Sequence, residues 1–133
     1  MTPRARMLVV DDVQEIFPLF EGAAAGCRSA RLSVTTMDDS RAAARLLAET
    51  TFDLVVADYR MPHLDGLDLL AAARRRHPDG LRVLASGFRE ATLPARKVEL
   101  ARPHRFLQKP IARGELAIFL DRLLARSAPR LIS

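Results

Sequence analysis

Leu54-Val55-Val56-Ala57-Asp58, with Phe52 just ahead and only Asp53 between, is apolar on consecutive positions and ends on a carboxylate. A strand wet on one face alternates apolar and polar residues, whereas one that is apolar throughout lies inside a sheet covered on both sides, as parallel sheets are. Three other runs repeat the plan. Met7-Leu8-Val9-Val10 leads into Asp11-Asp12, residues 81–85 lead into Ser86, and Phe106-Leu107, after Gln108, leads into Lys109-Pro110. Ligands of open α/β sheets bind in the crevice beyond the carboxyl ends of the strands. Such a sheet would gather three carboxylates, a hydroxyl and an ammonium from the whole chain into one place. That set suits acyl-phosphate chemistry on an aspartate.

Working outward, the segments between these runs read as helices. Val13, Ile16, Phe17, Phe20 and Ala24 form a stripe at helical spacing, disturbed by Pro18, so this helix is either kinked or starts late. Leu32, Val34 and Thr36 alternate with Ser33 and Thr35, as in an edge strand with one wetter side. Asp39 or Ser40 can cap a second helix whose inner face is Ala43, Leu46 and Leu47. A turn at Met61-Pro62-His63-Leu64 leads to Asp65, the expected cap of a third helix carrying Leu67, Leu70 and Ala71 inward. Pro78-Asp79-Gly80 ends it. Pro94 and Pro103 restrict a fourth helix to about residues 94–101, a short strand is expected at 105–108, and a last helix over about 112–126 turns Leu116, Phe119, Leu120 and Leu123 to the core. Right-handed crossovers give an α/β fold, a doubly wound five-stranded parallel sheet in the order 2-1-3-4-5 with helices on both faces.

A chain of 133 residues fits one domain. Its core is expected at about residues 6–126, and 127–133 read as a tail or linker stub. The single cysteine, Cys27, has no internal partner, and no secretion signal or membrane-length apolar run is evident, which leads to the expectation of a reducing, cytoplasmic setting with no membrane contact. The formal charge of +5 and pI near 10.6 come mostly from arginine. Arg74-Arg75-Arg76-His77 closes a helix, where cations complement exposed carbonyls, and the other arginines are scattered rather than interleaved with aromatics. Direct nucleic-acid binding is therefore not expected.

Two adjacent aspartates facing a third repel one another by roughly 4 kcal/mol per pair at about 4 Å and an effective dielectric of about 20. A cation relieves this, and an all-oxygen set with few carboxylates suits Mg²⁺, with Mn²⁺ also able to serve. Without a nearby His/Cys cluster, zinc is disfavoured. Asp58, ending the central strand, is the best nucleophile, with Lys109 as a point charge and Ser86 as a donor to phosphoryl oxygens. Taken singly, each residue also reads as an ordinary cap, turn former or surface lysine. Their joint placement at four strand ends is what carries the argument.

The sequence resembles a response-regulator receiver domain over about residues 6–126, on Val9-Val10-Asp11-Asp12, on Asp58 with Met61-Pro62 and Asp65-Gly66 behind it, on Ser86-Gly87, and on Phe106 three residues before Lys109-Pro110. The resemblance implies a flavodoxin-like sheet and Mg²⁺ held by Asp11, Asp12, Asp58 and the backbone carbonyl of Arg60. It also implies phosphorylation of Asp58 by a histidine kinase or histidine phosphotransfer protein, in a two-component or phosphorelay system. Ser86 and Phe106 would form the conformational switch. Arg60 and Phe88, two residues beyond Asp58 and Ser86, would flank the path of the hydrolytic water, and slow autodephosphorylation is expected.

The chain also departs from that family. Arg102-Pro103 stands where members usually carry Gly-Ala, and Pro94 interrupts the segment used for their fourth helix. Both changes fall on the expected output surface, so the output protein stays unassigned and a homodimer stays open. Two rival readings remain: a degenerate receiver acting as a phosphorylation-independent interaction module, and an aspartate-dependent phosphohydrolase. The second would need a general acid or base two residues past its nucleophile, where Arg60 stays protonated. The leading expectation is a signalling phosphoacceptor rather than an enzyme.

Overall fold

In a computed structural model that describes residues 2–87 and 92–127, five parallel strands lie in the order 2-1-3-4-5. They are β1 (Arg4–Val10), β2 (Arg31–Met37), β3 (Leu54–Asp58), β4 (Leu81–Ser86) and β5 (Arg105–Gln108). The intervening helices are α1 (Phe17–Ala25), α2 (Ser40–Glu49), α3 (Gly66–Arg76), α4 (Ala95–Ala101) and α5 (Arg113–Ser127). Sheet order and connectivity follow the sequence expectation. β1 begins earlier than the apolar run, because Arg4 and Arg6 still pair with Arg31 and Ser33 of the edge strand.

Side-chain alternation along β3 divides the core in two. Leu54 and Val56 face α1 and α5, together with Met7, Val9 and Val83, against Phe20 and Leu116, Leu120 and Leu124. Val55 and Ala57 face α2, α3 and α4, with Leu8, Val10 and Leu84, against Leu47, Leu67, Leu69 and Leu70. Every residue of β3 and β4 is buried, whereas β2 alternates exposed with half-buried positions, as an edge strand should.

Pro18 delays the first helix rather than kinking it. A 3-10 turn spans Gln14–Ile16, and Pro18 then sits in the opening turn of α1, where its missing N–H has no intrahelical role. Val13 consequently drops out of the expected stripe and stands half-exposed. Asp39, not Ser40, caps α2, accepting from the N–H groups of Arg41 and Ala42. On α3 the inner face includes Leu69 and Ala73 beside Leu67 and Leu70, while Ala71 is only half-buried.

α3 begins on a capping box in which Asp65 and Asp68 each accept the other's backbone N–H, at 2.9 and 3.0 Å. Gly66 opens the helix directly over β3. A Cβ there would lie 2.4 Å from the Asp58 carbonyl oxygen and 2.8 Å from Leu84 Cδ1, so the close approach requires glycine. α4 starts after Pro94, as the proline pattern requires, and buries only Ala101.

Candidate functional site

The carboxyl ends of β1, β3 and β4 and the segment after β5 do converge. Asp11 and Asp12 follow β1, Asp58 ends β3, and one carboxylate oxygen from each lies within 4.8 Å of the others. Lys109 Nζ reaches Asp11 Oδ2 at 2.7 Å and Asp58 Oδ1 at 3.0 Å. Asp11 is buried and also accepts the Val13 N–H at 2.9 Å, which fixes its rotamer, while Asp12 is exposed at the mouth.

Ser86 closes β4 in a buried position, and its carbonyl accepts the Lys109 N–H at 2.9 Å, so hydroxyl and ammonium come from adjoining backbone. The Lys109–Pro110 peptide is cis. Tyr59 N–H donates to the Ala85 carbonyl at 2.8 Å, extending the β3–β4 ladder one residue past Asp58.

The electrostatics bear on ion binding. Asp58 is 8% exposed, and burial is the largest cause raising its carboxyl pKa above the ordinary value. The Lys109 hydrogen bond opposes that shift, while Asp11 and Asp12 add to it. Burial pulls Lys109 downward, but its hydrogen bonds to Asp11 and Asp58 outweigh this and leave its pKa raised. Three carboxylates facing one ammonium leave a net negative, all-oxygen pocket, which fits a hard divalent ion.

Phe106 lies on β5 opposite Leu84, half-buried on the side of α2, α3 and α4. Arg60 is exposed beside Tyr59, Met61, Pro62 and Asp65, around a shallow depression formed by the segment that follows Asp58. Phe88 lies outside the described residues.

Two residues of this region were not legible as such in the sequence. Buried Ser40 donates to the Pro62 carbonyl at 2.6 Å and accepts the Leu64 N–H at 3.1 Å, holding the turn that follows Asp58. Its neighbour Asp39 performs the capping for which Ser40 was the alternative. Lys97 on α4 bridges Asp65 and Asp68, the two capping-box carboxylates of α3. Its pKa is raised, first by the hydrogen bond to Asp65. No local spacing links Lys97 to residues about thirty positions earlier, whereas Ser40 carried the signal of a polar residue at the start of an apolar helix.

Residues 7–121 match the family described as the response regulator receiver domain. The chain belongs to that family. It is 32% identical to the response regulator protein PilR of Pseudomonas aeruginosa over 115 residues, covering 85% of this chain and 24% of PilR. It is 40% identical to the DNA-binding transcriptional regulator NtrC of Escherichia coli over 75 residues, covering 56% of this chain and 15% of NtrC. The chain thus spans less than a quarter of the length of these relatives. Among solved structures, the signal receiver domain of an HD domain-containing protein from Pseudomonas fluorescens superposes with a TM-score of 0.78 at 26% identity, covering 97% of this chain and 93% of that one. Receiver domains are the phosphoacceptor modules of two-component signalling. No helix among the described residues is long and apolar enough to cross a membrane.

Proposed function

We propose that this receiver is phosphorylated on Asp58 by the phosphohistidine of a histidine kinase or phosphotransfer protein, and that it passes on its state by protein contact. The observation that carries this reading is the placement of Lys109 Nζ between Asp11 and Asp58, at 2.7 and 3.0 Å, inside a three-carboxylate pocket. A carboxylate oxygen of Asp58 attacks phosphorus as the P–N bond to the donor breaks, and the bonding electrons return to the imidazole. Lys109 is placed to meet charge spreading over the phosphoryl oxygens, and Ser86 supplies a neutral donor from the adjoining strand end.

Asp11, Asp12, Asp58 and the Arg60 carbonyl are the groups that would hold Mg²⁺ or Mn²⁺, which when bound supplies positive charge to the phosphoryl oxygens. In the phosphorylated state Ser86 gains by moving toward the new oxygens, and Phe106 turns into the space released. The ion pairs from Lys97 to Asp65 and Asp68 tie α4 to the start of α3, and this supports a route by which α4 would take up that change. Arg60 shields the acyl phosphate and lengthens its life, a role Phe88 would share. A cytoplasmic setting follows from the kinase that must reach it.

The test is to incubate the protein with Mg²⁺ and a small phosphoramidate or acyl-phosphate donor and to weigh it intact. A single phosphoryl adduct, absent in Asp58→Asn and in excess chelator, is expected. No adduct in the wild type would favour a phosphorylation-independent interaction module, and turnover of unrelated phosphate esters would favour a hydrolase. An adduct decaying within seconds would overturn the long lifetime.

A further inference from the structure

The sheet ends in two edges that differ in kind. β5 has four residues, opens on Arg105 and runs into Pro110, and shortness, charge and proline are what keep an edge strand from pairing further. β2 has seven residues and holds parallel register with β1 from Arg31 to Met37 without a bulge. It contains no proline, glycine, lysine or carboxylate, and its one charge, Arg31, stands at the first position. By those measures the β2 edge is undefended.

Which main-chain groups it presents follows from its inner hydrogen bonds. The Arg31 N–H donates to the Pro3 carbonyl at 2.8 Å, and the Met37 carbonyl accepts the Asp11 N–H at 3.1 Å, so the odd-numbered residues turn their main chain toward β1. Leu32, Val34 and Thr36 therefore direct their N–H and C=O groups away from the sheet. Leu32 and Val34 pack their side chains on the face that α1 covers, while Ser33 and Thr35 stand exposed on the other face. The two ends of the strand carry opposite charge. Arg4, Arg6 and Arg31 share a depression of about 610 Å³ at its amino end, and exposed Asp38 and Asp39 follow its carboxyl end.

We propose that β2 pairs antiparallel with β2 of a second copy about a two-fold axis at Val34, joining two five-stranded sheets into one. In that register Val34 faces its own equivalent, Leu32 faces Thr36, Ser33 faces Thr35 and Arg31 faces Met37, so no residue of the strand is left over. Leu32, Val34 and Thr36 exchange about six main-chain hydrogen bonds with the second copy, and each Ser33 meets a Thr35 in a close hydroxyl pair. Like charges are kept apart, because the arginines of one copy come beside Asp38 and Asp39 of the other. A parallel pairing would instead set arginine against arginine, and it would not close on a two-fold axis. The two α1 helices lie on the same face of the joined sheet, and their exposed positions, Pro18, Glu21, Gly22 and Ala25, carry short side chains apart from Glu21.

The contact is small, so monomer and dimer should exchange, with the dimer fraction growing between about 1 and about 500 µM in sedimentation velocity. Ser33→Lys/Thr35→Lys sets lysines opposite one another and should weaken the dimer at least about tenfold, whereas Ser33→Glu/Thr35→Lys sets glutamate opposite lysine and should restore it. Both positions are exposed, so circular dichroism of these variants should match the wild type. Register is read by cross-linking in a Cys27→Ser background with diamide as oxidant. Positions 33 and 35 of opposite strands bring their Cα atoms to about 4.5 Å, whereas two copies of either position stay about 8 Å apart, too far for a disulfide. A mixture of the Ser33→Cys and Thr35→Cys proteins should therefore form a disulfide dimer that neither forms alone. Cross-linking of either variant alone as fast as the mixture, or a dimer that the double lysine variant leaves intact, would overturn the proposal. So would a monomer at every concentration, which would assign the edge to an extended segment of another protein. No phosphoryl donor is present in these experiments, so their result stands apart from the phosphoacceptor reading.

Discussion

Where β1, β3 and β4 run out, three carboxylates crowd within 4.8 Å of one another around the ammonium of Lys109. At the opposite rim, Arg82 is only 4% exposed, and its guanidinium donates to the carbonyls of Pro78, Gly80, Ala101 and Arg102 at 2.8–3.2 Å. Arg76 reaches the Glu49 carbonyl, and Arg6 reaches that of Thr51 while lying 5.1 Å over the Phe52 ring. The contrast has a common origin. In a βα fold the carboxyl rim collects helix N-termini, which favour anions, and the amino rim collects helix C-termini, whose open carbonyls favour cations. At the amino rim the charges are met by the main chain and hold the fold together. At the carboxyl rim like charges are held close with too few cations, which costs stability and leaves an affinity for added positive charge.

Removing Arg82 attacks that contrast at its strongest point. A buried charge pair can sometimes be exchanged for apolar groups, but these four carbonyls are acceptors that no substitution removes. Arg82→Met should therefore cost about 3 kcal/mol, read from the midpoint of urea denaturation, because several buried acceptors lose their donors. A loss below about 1 kcal/mol would mean that water replaces the guanidinium. Gly66→Ala tests the other rim by packing rather than charge. A Cβ 2.4 Å from the Asp58 carbonyl must push β3 and α3 apart, costing about 2 kcal/mol and slowing adduct formation on Asp58. Normal phosphorylation in a destabilised Gly66→Ala protein would show that the site tolerates this displacement.

Asp58→Asn should act in the opposite direction, abolishing the adduct while stabilising the metal-free protein by about 1 kcal/mol at neutral pH. Because the folded protein raises the Asp58 pKa, first through burial, its protonated form is the one that folding favours. That contribution is complete below the ordinary carboxylate pKa and is lost as pH rises through the raised value. The advantage of Asn over Asp should thus appear above the raised pKa, vanish in acid, and shrink when Mg²⁺ is added at neutral pH. Melting curves across pH in chelator check it, and an advantage that persists unchanged into acid would assign the gain to something other than charge.

The sheet order was legible because Leu54-Val55-Val56-Ala57 reports two covered faces, and because each strand end that matters carries a chemically distinctive residue. The convergence of Asp11, Asp12, Asp58 and Lys109 followed from topology alone. What escaped was set by tertiary packing. Val13 fits the helical period but falls outside α1, since Pro18 moves the helix start. Ser40 and Lys97 reach the site region through contacts 22 to 32 residues apart in sequence, which no local period encodes. Arg82 reads as an interruption of an apolar run, and its contacts with carbonyls distant in sequence, at Ala101 and Arg102, are what make a buried cation tolerable there.

The smallest effect concerns Arg102, where the chain departs from the Gly-Ala pair expected of its relatives. Arg102 follows α4 with φ 43° and ψ 66°, the left-handed conformation that glycine adopts without strain. Its N–H closes the helix on the Val98 carbonyl at 2.8 Å, and its own carbonyl accepts from Arg82, so the main chain does the structural work and the side chain is incidental. Arg102→Gly removes the Cβ strain but frees the unfolded chain, leaving a net gain of about 0.5 kcal/mol. Arg102→Ala keeps a Cβ in the same conformation and should give no gain. Equal shifts in the two melting temperatures would locate the effect in the lost guanidinium, and the amino rim would then depend on an exposed arginine as well as on the buried ones.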